Sequence, residues 1–194
     1  MKLILIFLLL LALSGISIAQ SSIVKFNPIP LVNSTLSLGF EQKVAQASSL
    51  QFSFDYATEK DFGFKSTWLG IGAEYRIYNL IQALSLQGSE APAGLFVAPT
   101  LGVRFFKDVD ENNPDPAFDE KYSFVNVGAL AGYQWLPRFK NGKSPLALEA
   151  SVGLLVGFMT KGEKYDYEDY AIWPRFSVGV VPTFNIGIGF AFGK

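Results

Sequence analysis

Leu146-Ala-Leu-Glu-Ala-Ser-Val-Gly-Leu-Leu-Val-Gly-Phe158 is the stretch that decides the fold. Its even-numbered members, Leu146, Leu148, Ala150, Val152, Leu154, Val156 and Phe158, are all apolar. Between them stand Ala147, Glu149, Ser151, Gly153, Leu155 and Gly157. An amphipathic helix repeats its apolar face at i, i+3 and i+4. This stretch repeats at i+2, the period of a strand whose side chains alternate between two faces.

The same alternation extends in both directions. Leu95, Val97, Pro99, Leu101, Val103 and Phe105 interleave with Phe96, Ala98, Thr100, Gly102 and Arg104. Val125, Val127, Ala129, Ala131, Tyr133 and Trp135 interleave with Asn126, Gly128, Leu130, Gly132 and Gln134. Phe184, Ile186, Ile188, Phe190 and Phe192 interleave with Asn185, Gly187, Gly189 and Ala191. Eight such segments are expected, at 24–32, 35–44, 49–57, 66–78, 93–106, 122–136, 145–158 and 173–192. Pro28 and Pro30 interrupt the first, and Pro182 either splits or bulges the last, because proline donates nothing to a ladder. An even strand count brings both chain ends to one side. The connections there are 45–48, 79–92 and 137–144; the opposite side carries Asn33-Ser34, 58–65, 107–121 and 159–172.

A soluble barrel and a membrane barrel share this alternation and differ in which set faces inward. The second set is rich in Gly, Ala and Ser rather than in the Lys, Glu and Thr of a water-facing strand. Small residues suit the interior of an eight-stranded barrel, which is only wide enough for side chains to fill. The parity of this set carries four acids, Glu41, Asp55, Glu74 and Glu149, and four bases, Lys25, Arg76, Arg104 and Arg175, besides Lys43 at a strand end that water reaches. A balanced set can pair within a lumen, where a lone charge would be costly. The apolar sets of the expected strands hold no Lys or Arg, each of which costs ~2–4 kcal/mol at the midplane of a bilayer. Tyr75, Tyr133, Trp135, Phe158, Phe190 and Phe192 lie on the apolar parity near strand ends, where an interfacial girdle belongs. The expected fold is therefore all-β, an eight-stranded antiparallel up-and-down transmembrane β-barrel. The alternative is an exported soluble barrel of lipocalin type.

Composition agrees and excludes much chemistry. The chain has 194 residues, 16 Lys+Arg against 17 Asp+Glu, 18 Gly, 18 Phe, no Cys and no His. Charged residues are 17%, below the roughly 25% of ordinary soluble domains. Near-neutral charge gives no basic surface for nucleic acid. Without Cys there are no disulfides or thiolate ligands. Without His there is no Ser-His-Asp triad. No enzyme activity and no cofactor is expected.

At the N-terminus, Lys2 precedes the unbroken apolar run Leu3 to Leu13. Eleven residues fall within the ~7–15 of a signal-peptide h-region and short of the ~20 of a membrane helix. Ser17 and Ala19 satisfy the small-x-small rule. Residues 1–19 are expected to be a cleaved signal peptide, and 20–194 a single barrel domain in the outer membrane.

The chain resembles the small bacterial outer-membrane β-barrel proteins of the OmpA/OmpX-like type. The residues that carry the likeness are Val24-Lys-Phe-Asn-Pro28, Leu38-Gly-Phe-Glu41, Gly72-Ala-Glu-Tyr-Arg-Ile-Tyr78, Gly132-Tyr-Gln-Trp135 and Gly187-Ile-Gly-Phe-Ala-Phe192. The resemblance implies outer-membrane lipids as surroundings and recognition by the outer-membrane insertion machinery through an aromatic last strand. Here that strand is followed by Gly193 and Lys194.

The remaining candidate sites lie in the connections. Asp108, Asp110, Asn112 and Asp119 follow the alternating oxygen spacing of a calcium loop, but Asn113 stands where an EF-hand needs Gly and Asp119 where it needs Glu. A solvated acidic loop is the plainer reading. The segment 161–170 mixes Tyr with charge, as loops that meet an extracellular ligand do. The functional expectation is a barrel with a filled, charge-paired lumen and a structural or surface-interaction role through these loops. The alternative is a narrow channel or binding barrel for small apolar molecules.

Overall fold

The computed structural model describes residues 22–61, 64–78, 91–111, 120–139, 142–143, 145–162 and 178–192. Its strands are β1 (Ser22–Phe26), β2 (Thr35–Ala45), β3 (Ser48–Asp61), β4 (Phe64–Tyr78), β5 (Gly94–Asp110), β6 (Glu120–Trp135), β7 (Arg138–Phe139), β8 (Gly142–Lys143), β9 (Leu146–Gly162) and β10 (Val178–Phe192). Eight of them close into one antiparallel barrel in the order β1-β10-β9-β6-β5-β4-β3-β2. Each pairs with its neighbours in sequence, and β1 closes the ring on β10 with Lys25 opposite Gly189. The short β7 and β8 form a separate two-stranded ladder within the connection 137–144.

Alternation fixes the two faces. On β10, Phe184, Ile186, Ile188, Phe190 and Phe192 are exposed, while Asn185, Gly187, Gly189 and Ala191 are buried or partly buried. Across the sheet Phe184 pairs with Val152, and Val152 with Ala131, so the apolar parity runs unbroken from strand to strand. Pro182 takes its place opposite Leu154 without interrupting the ladder.

Four expectations are corrected. The first strand ends at Phe26, and Ile29–Asn33 is a short 3₁₀ turn. Pro28 and Pro30 have no N–H for a ladder and hold φ near the helical value, and Ser34, at φ 55°, ends the turn in the left-handed region. The second correction concerns the connection 58–65, which is mostly strand: Thr58 pairs with Thr67, Glu59 with Ser66 and Lys60 with Lys65. The third lies at 107–121, where β5 continues to Asp110 and β6 begins at Glu120, with Lys107 opposite Lys121. β9 likewise continues past Phe158 to Gly162, with a register shift opposite Ser123/Phe124. Ladder hydrogen bonds need only backbone N–H and C=O, so a run of polar side chains does not end a strand whose neighbour continues. The expected signal peptide, most of 79–92, and 163–177 lie outside the described residues.

Candidate functional site in the barrel lumen

The inward parity builds the lumen in layers. Nearest the chain termini is a plug of charged and amide side chains. Lys25 Nζ donates to Gln51 Oε1 (2.8 Å), Gln134 Oε1 (2.5 Å) and Glu149 Oε2, and lies 2.5 Å from Glu41 Oε2. Arg76 donates from Nη1 to Glu149 Oε2 (2.7 Å) and from Nη2 to Glu149 Oε1 (2.8 Å). It also grips Glu74 Oε2 through Nε (2.9 Å) and Nη2 (2.7 Å). Glu41 accepts hydrogen bonds from the Tyr78 hydroxyl (2.6 Å) and from Ser49. Its Oε2 meets Lys25 and Arg76 (3.5 Å) as ion pairs without an aligned hydrogen bond. The Phe96 ring covers the Arg76 guanidinium at 4.3 Å, and Tyr78 packs on Phe96 with centroids 5.5 Å apart.

Burial makes this plug energetically coupled. Glu41 is 0% exposed and Arg76 1%. Desolvating an ion costs several kcal/mol, recovered only when each charge is matched and hydrogen-bonded. The bidentate Arg76–Glu149 contact supplies the planar fork geometry in which such pairs are strongest.

Above the plug lies a belt of small side chains. Gly39 pairs with Ser53, Ser53 with Gly72, Gly72 with Gly102, Gly102 with Asn126, Asn126 with Gly157 and Gly157 with Gly179. One row thus crosses seven strands with nothing larger than Asn. It leaves a cavity of about 150 Å³, whose walls include Asp55, Glu74, Arg76, Arg104, Asn126 and Asn185. That volume is room for on the order of five waters at ~30 Å³ each.

Beyond the belt, Asp55 and Arg104 flank Gly70 in one cross-strand row, so the two charges approach over a residue with no side chain. Arg104 lies over the Trp68 ring at 5.1 Å. Trp68 and Phe106 are 6.0 Å apart, and Phe106 stacks on Tyr122 at 4.9 Å, with Phe124 edge-on at 5.7 Å from Phe106.

Comparison with protein-family models, with curated proteins and with solved structures finds no match. The geometry is therefore what assigns roles to residues.

Of the eight charges expected in the lumen, Lys25, Glu41, Glu74, Arg76 and Glu149 come together in the plug, and Asp55 and Arg104 stand apart beyond the belt. Arg175 lies outside the described residues. Tyr75, Tyr133, Trp135, Phe158, Phe190 and Phe192 are all exposed. Five of them are at the end that carries the termini, whereas Phe158 is toward the other end, opposite Val125. Of the calcium-loop residues, Asp108 and Asp110 belong to β5, and Asp108 Oδ2 accepts the Tyr122 hydroxyl at 2.9 Å. Asn112 and Asp119 lie outside the described residues. No group of three carboxylates among the described residues is placed to hold a metal ion. Sequence reasoning put Gln134 on the inward face but missed the other neutral members of the plug, Ser49, Gln51 and Tyr78, and the inward aromatics Trp68, Phe106, Tyr122 and Phe124. All share the inward parity, which was the available signal.

Proposed function

We propose that the protein is an integral outer-membrane β-barrel of the small OmpA/OmpX-like kind, with a lumen closed by paired charges and a structural or surface-interaction role. The reading rests on one observation, the inverted distribution of polarity. Val152 (56% exposed), Leu154 (59%), Phe184 (55%) and Phe190 (59%) stand on the outer wall, while Lys25, Glu41, Arg76 and Glu149 are buried within. Soluble monomers rarely expose apolar patches beyond a few hundred Å², and here the outward parity of every barrel strand is apolar along most of its length. On β9 the apolar run Leu146–Phe158 spans twelve steps, about 40 Å at ~3.3 Å per residue and about 30 Å along the axis at ~40° tilt, close to the apolar band of a membrane barrel.

The lumen argues against a carrier. Ligand pockets typically run ~300–1,000 Å³ and are mostly apolar, whereas this chamber holds about 150 Å³ and mixes ions and amides with apolar side chains such as Leu101 and Leu155. An apolar cargo would have to desolvate Asp55, Arg104 and Glu74 without replacing their partners. Each plug carboxylate is committed to Lys25 or Arg76, which supports a structural reading of those acids.

The deciding experiment combines fractionation with gel mobility. The protein is expected to stay in washed outer membranes and to migrate faster unheated than boiled. Recovery in periplasmic or culture fluid overturns the membrane reading. Residue by residue, cysteines at Val103 and Val152 are expected to resist aqueous thiol reagents in the bilayer.

A further inference from the structure

Every charge in the plug touches an opposite charge, whereas the two beyond the belt do not. Ser37, Asp55, Gly70, Arg104 and Phe124 form one inward cross-strand row. With neighbouring strands ~4.8 Å apart, the backbones of Asp55 and Arg104 stand about 10 Å apart across Gly70. Asp55 takes a hydrogen bond from Ser37, and its Oδ2 lies 3.4 Å from where a Cβ at Gly70 would be. Arg104 has the Trp68 ring at 5.1 Å and neither an ion pair nor a hydrogen bond among the described residues. It and Asp55 act on each other through space without an ion-pair contact.

Both charges line the chamber of about 150 Å³, and so does Asn126, whose side-chain amide makes no hydrogen bond among the described residues. Toward the termini the chamber is shut by Lys25, Arg76 and Glu149. On the other side it is open among the described residues. Val181 has the inward parity, opposite Leu155, and is 52% exposed, and a Cβ added at Gly179 meets nothing within 4 Å. The lumen is therefore a dead-end vestibule. On its walls stand a cation, an anion and an amide with hydrogen-bonding capacity to spare.

We propose that this vestibule binds a small α-amino acid zwitterion, its carboxylate on the Arg104 guanidinium and its ammonium on Asp55. The inference stands on the barrel and its lumen and goes beyond the membrane reading. An arginine fork matches a carboxylate with two parallel N–H donors, and lying over an indole leaves those edge donors free. A carboxylate alone would meet Asp55 as a like charge, and a cation alone would meet Arg104. A molecule that carries both signs satisfies both walls of a lumen in which an unmatched ion is costly. The zwitterion is short, and the long Arg104 stem supplies the remaining reach across Gly70. Room for on the order of five waters suits glycine or alanine and excludes larger side chains. The Asn126 amide supplies a further donor to the carboxylate.

The test is isothermal titration calorimetry of the full chain folded in detergent micelles, with glycine, sodium acetate and methylammonium chloride as probes. Wild type is expected to bind glycine saturably at one site, and each singly charged probe at least tenfold more weakly. R104Q and D55N are each expected to weaken glycine binding at least tenfold, and K60Q, on the outer face, to match wild type. Absence of saturable glycine binding overturns the proposal, as does undiminished binding by R104Q. Acetate or methylammonium bound as tightly as glycine reduces the site to one for a single charge and also overturns it. If R104Q or D55N fails to fold, the ranking of the three probes by wild type decides. The membrane reading is judged apart, by fractionation, so failure of one leaves the other standing.

Discussion

Arg76 and Glu149 stand on strands separated by β5 and β6, yet meet across the barrel axis in a two-pronged contact of 2.7 and 2.8 Å. Neither belongs to the other's ladder, so the pair ties opposite walls of the cylinder together. Around it are two further carboxylates, Glu41 and Glu74, and one further cation, Lys25. The formal balance of the five is one negative charge, which makes loss of a cation and loss of an acid unequal.

Arg76→Met leaves three buried carboxylates facing Lys25 alone. Breaking a buried pair by removing one partner costs ~3–5 kcal/mol, and that loss is expected in urea unfolding from lipid vesicles. Glu74→Gln removes the most exposed of the three acids, with side-chain accessibility of 11%, and brings the cluster to formal neutrality. It is expected to cost under about 1 kcal/mol, the scale of a single neutral hydrogen bond. Equal losses for the two variants would show that the carboxylates do not share Arg76.

The plug also predicts electrical behaviour. Lys25 bridges Gln51, Gln134, Glu41 and Glu149, closing the chamber toward the end that carries the termini. Wild type in planar bilayers is expected to show no large, stable open level. Lys25→Ala combined with Glu149→Ala removes the bridge and is expected to raise the frequency of small conductance steps severalfold. Large steady conductance in wild type would mean the lumen is not filled.

A charge placed on the outer wall tests orientation energetically. Val152 is 56% exposed and lies between Ala131 and Phe184 on the neighbouring strands. If acyl chains surround it, Val152→Arg costs ~2–4 kcal/mol in folding into phosphatidylcholine vesicles. On a water-facing wall the same substitution falls within about 0.5 kcal/mol. The smaller value would turn the barrel inside out.

Much of this arrangement is legible in the residue order. Period two assigns every side chain of a strand to one face, so Glu149 and Gln134 could be put inside before any strand was paired with another. What periodicity leaves open is stagger: that Lys25 reaches Glu149, while Asp55 faces Arg104 over Gly70, depends on the register of strands far apart in sequence. Strand length is not read from polarity either. A change to polar side chains marks strand ends at Ala57 and Phe106, but alternation continues through Lys60 and Lys107, where pairing needs only backbone groups. Trp68, Phe106 and Tyr122 share the inward parity, so aromatic residues belong to the lumen as well as to the outer girdle.

Tight wall-to-wall contact at one glycine gives the last test. A Cβ built at Gly153 meets the side chain of Leu130 and the carbonyl oxygen of Ala129, both on the paired strand β6. The backbone oxygen cannot move aside as a flexible side chain would, so the strands would have to separate locally. Gly153→Ala is expected to destabilise by ~1–3 kcal/mol, the cost of overpacking a filled interior. Gly179, one ladder away on β10, has nothing within 4 Å of the same added atom. Gly179→Ala should leave the unfolding midpoint within experimental error, or raise it slightly by restricting the unfolded chain. Measuring both by urea titration from vesicles separates close packing from a general intolerance of strand substitutions. Equal losses at the two positions would refute a lumen packed tightly at Gly153 and open at Gly179.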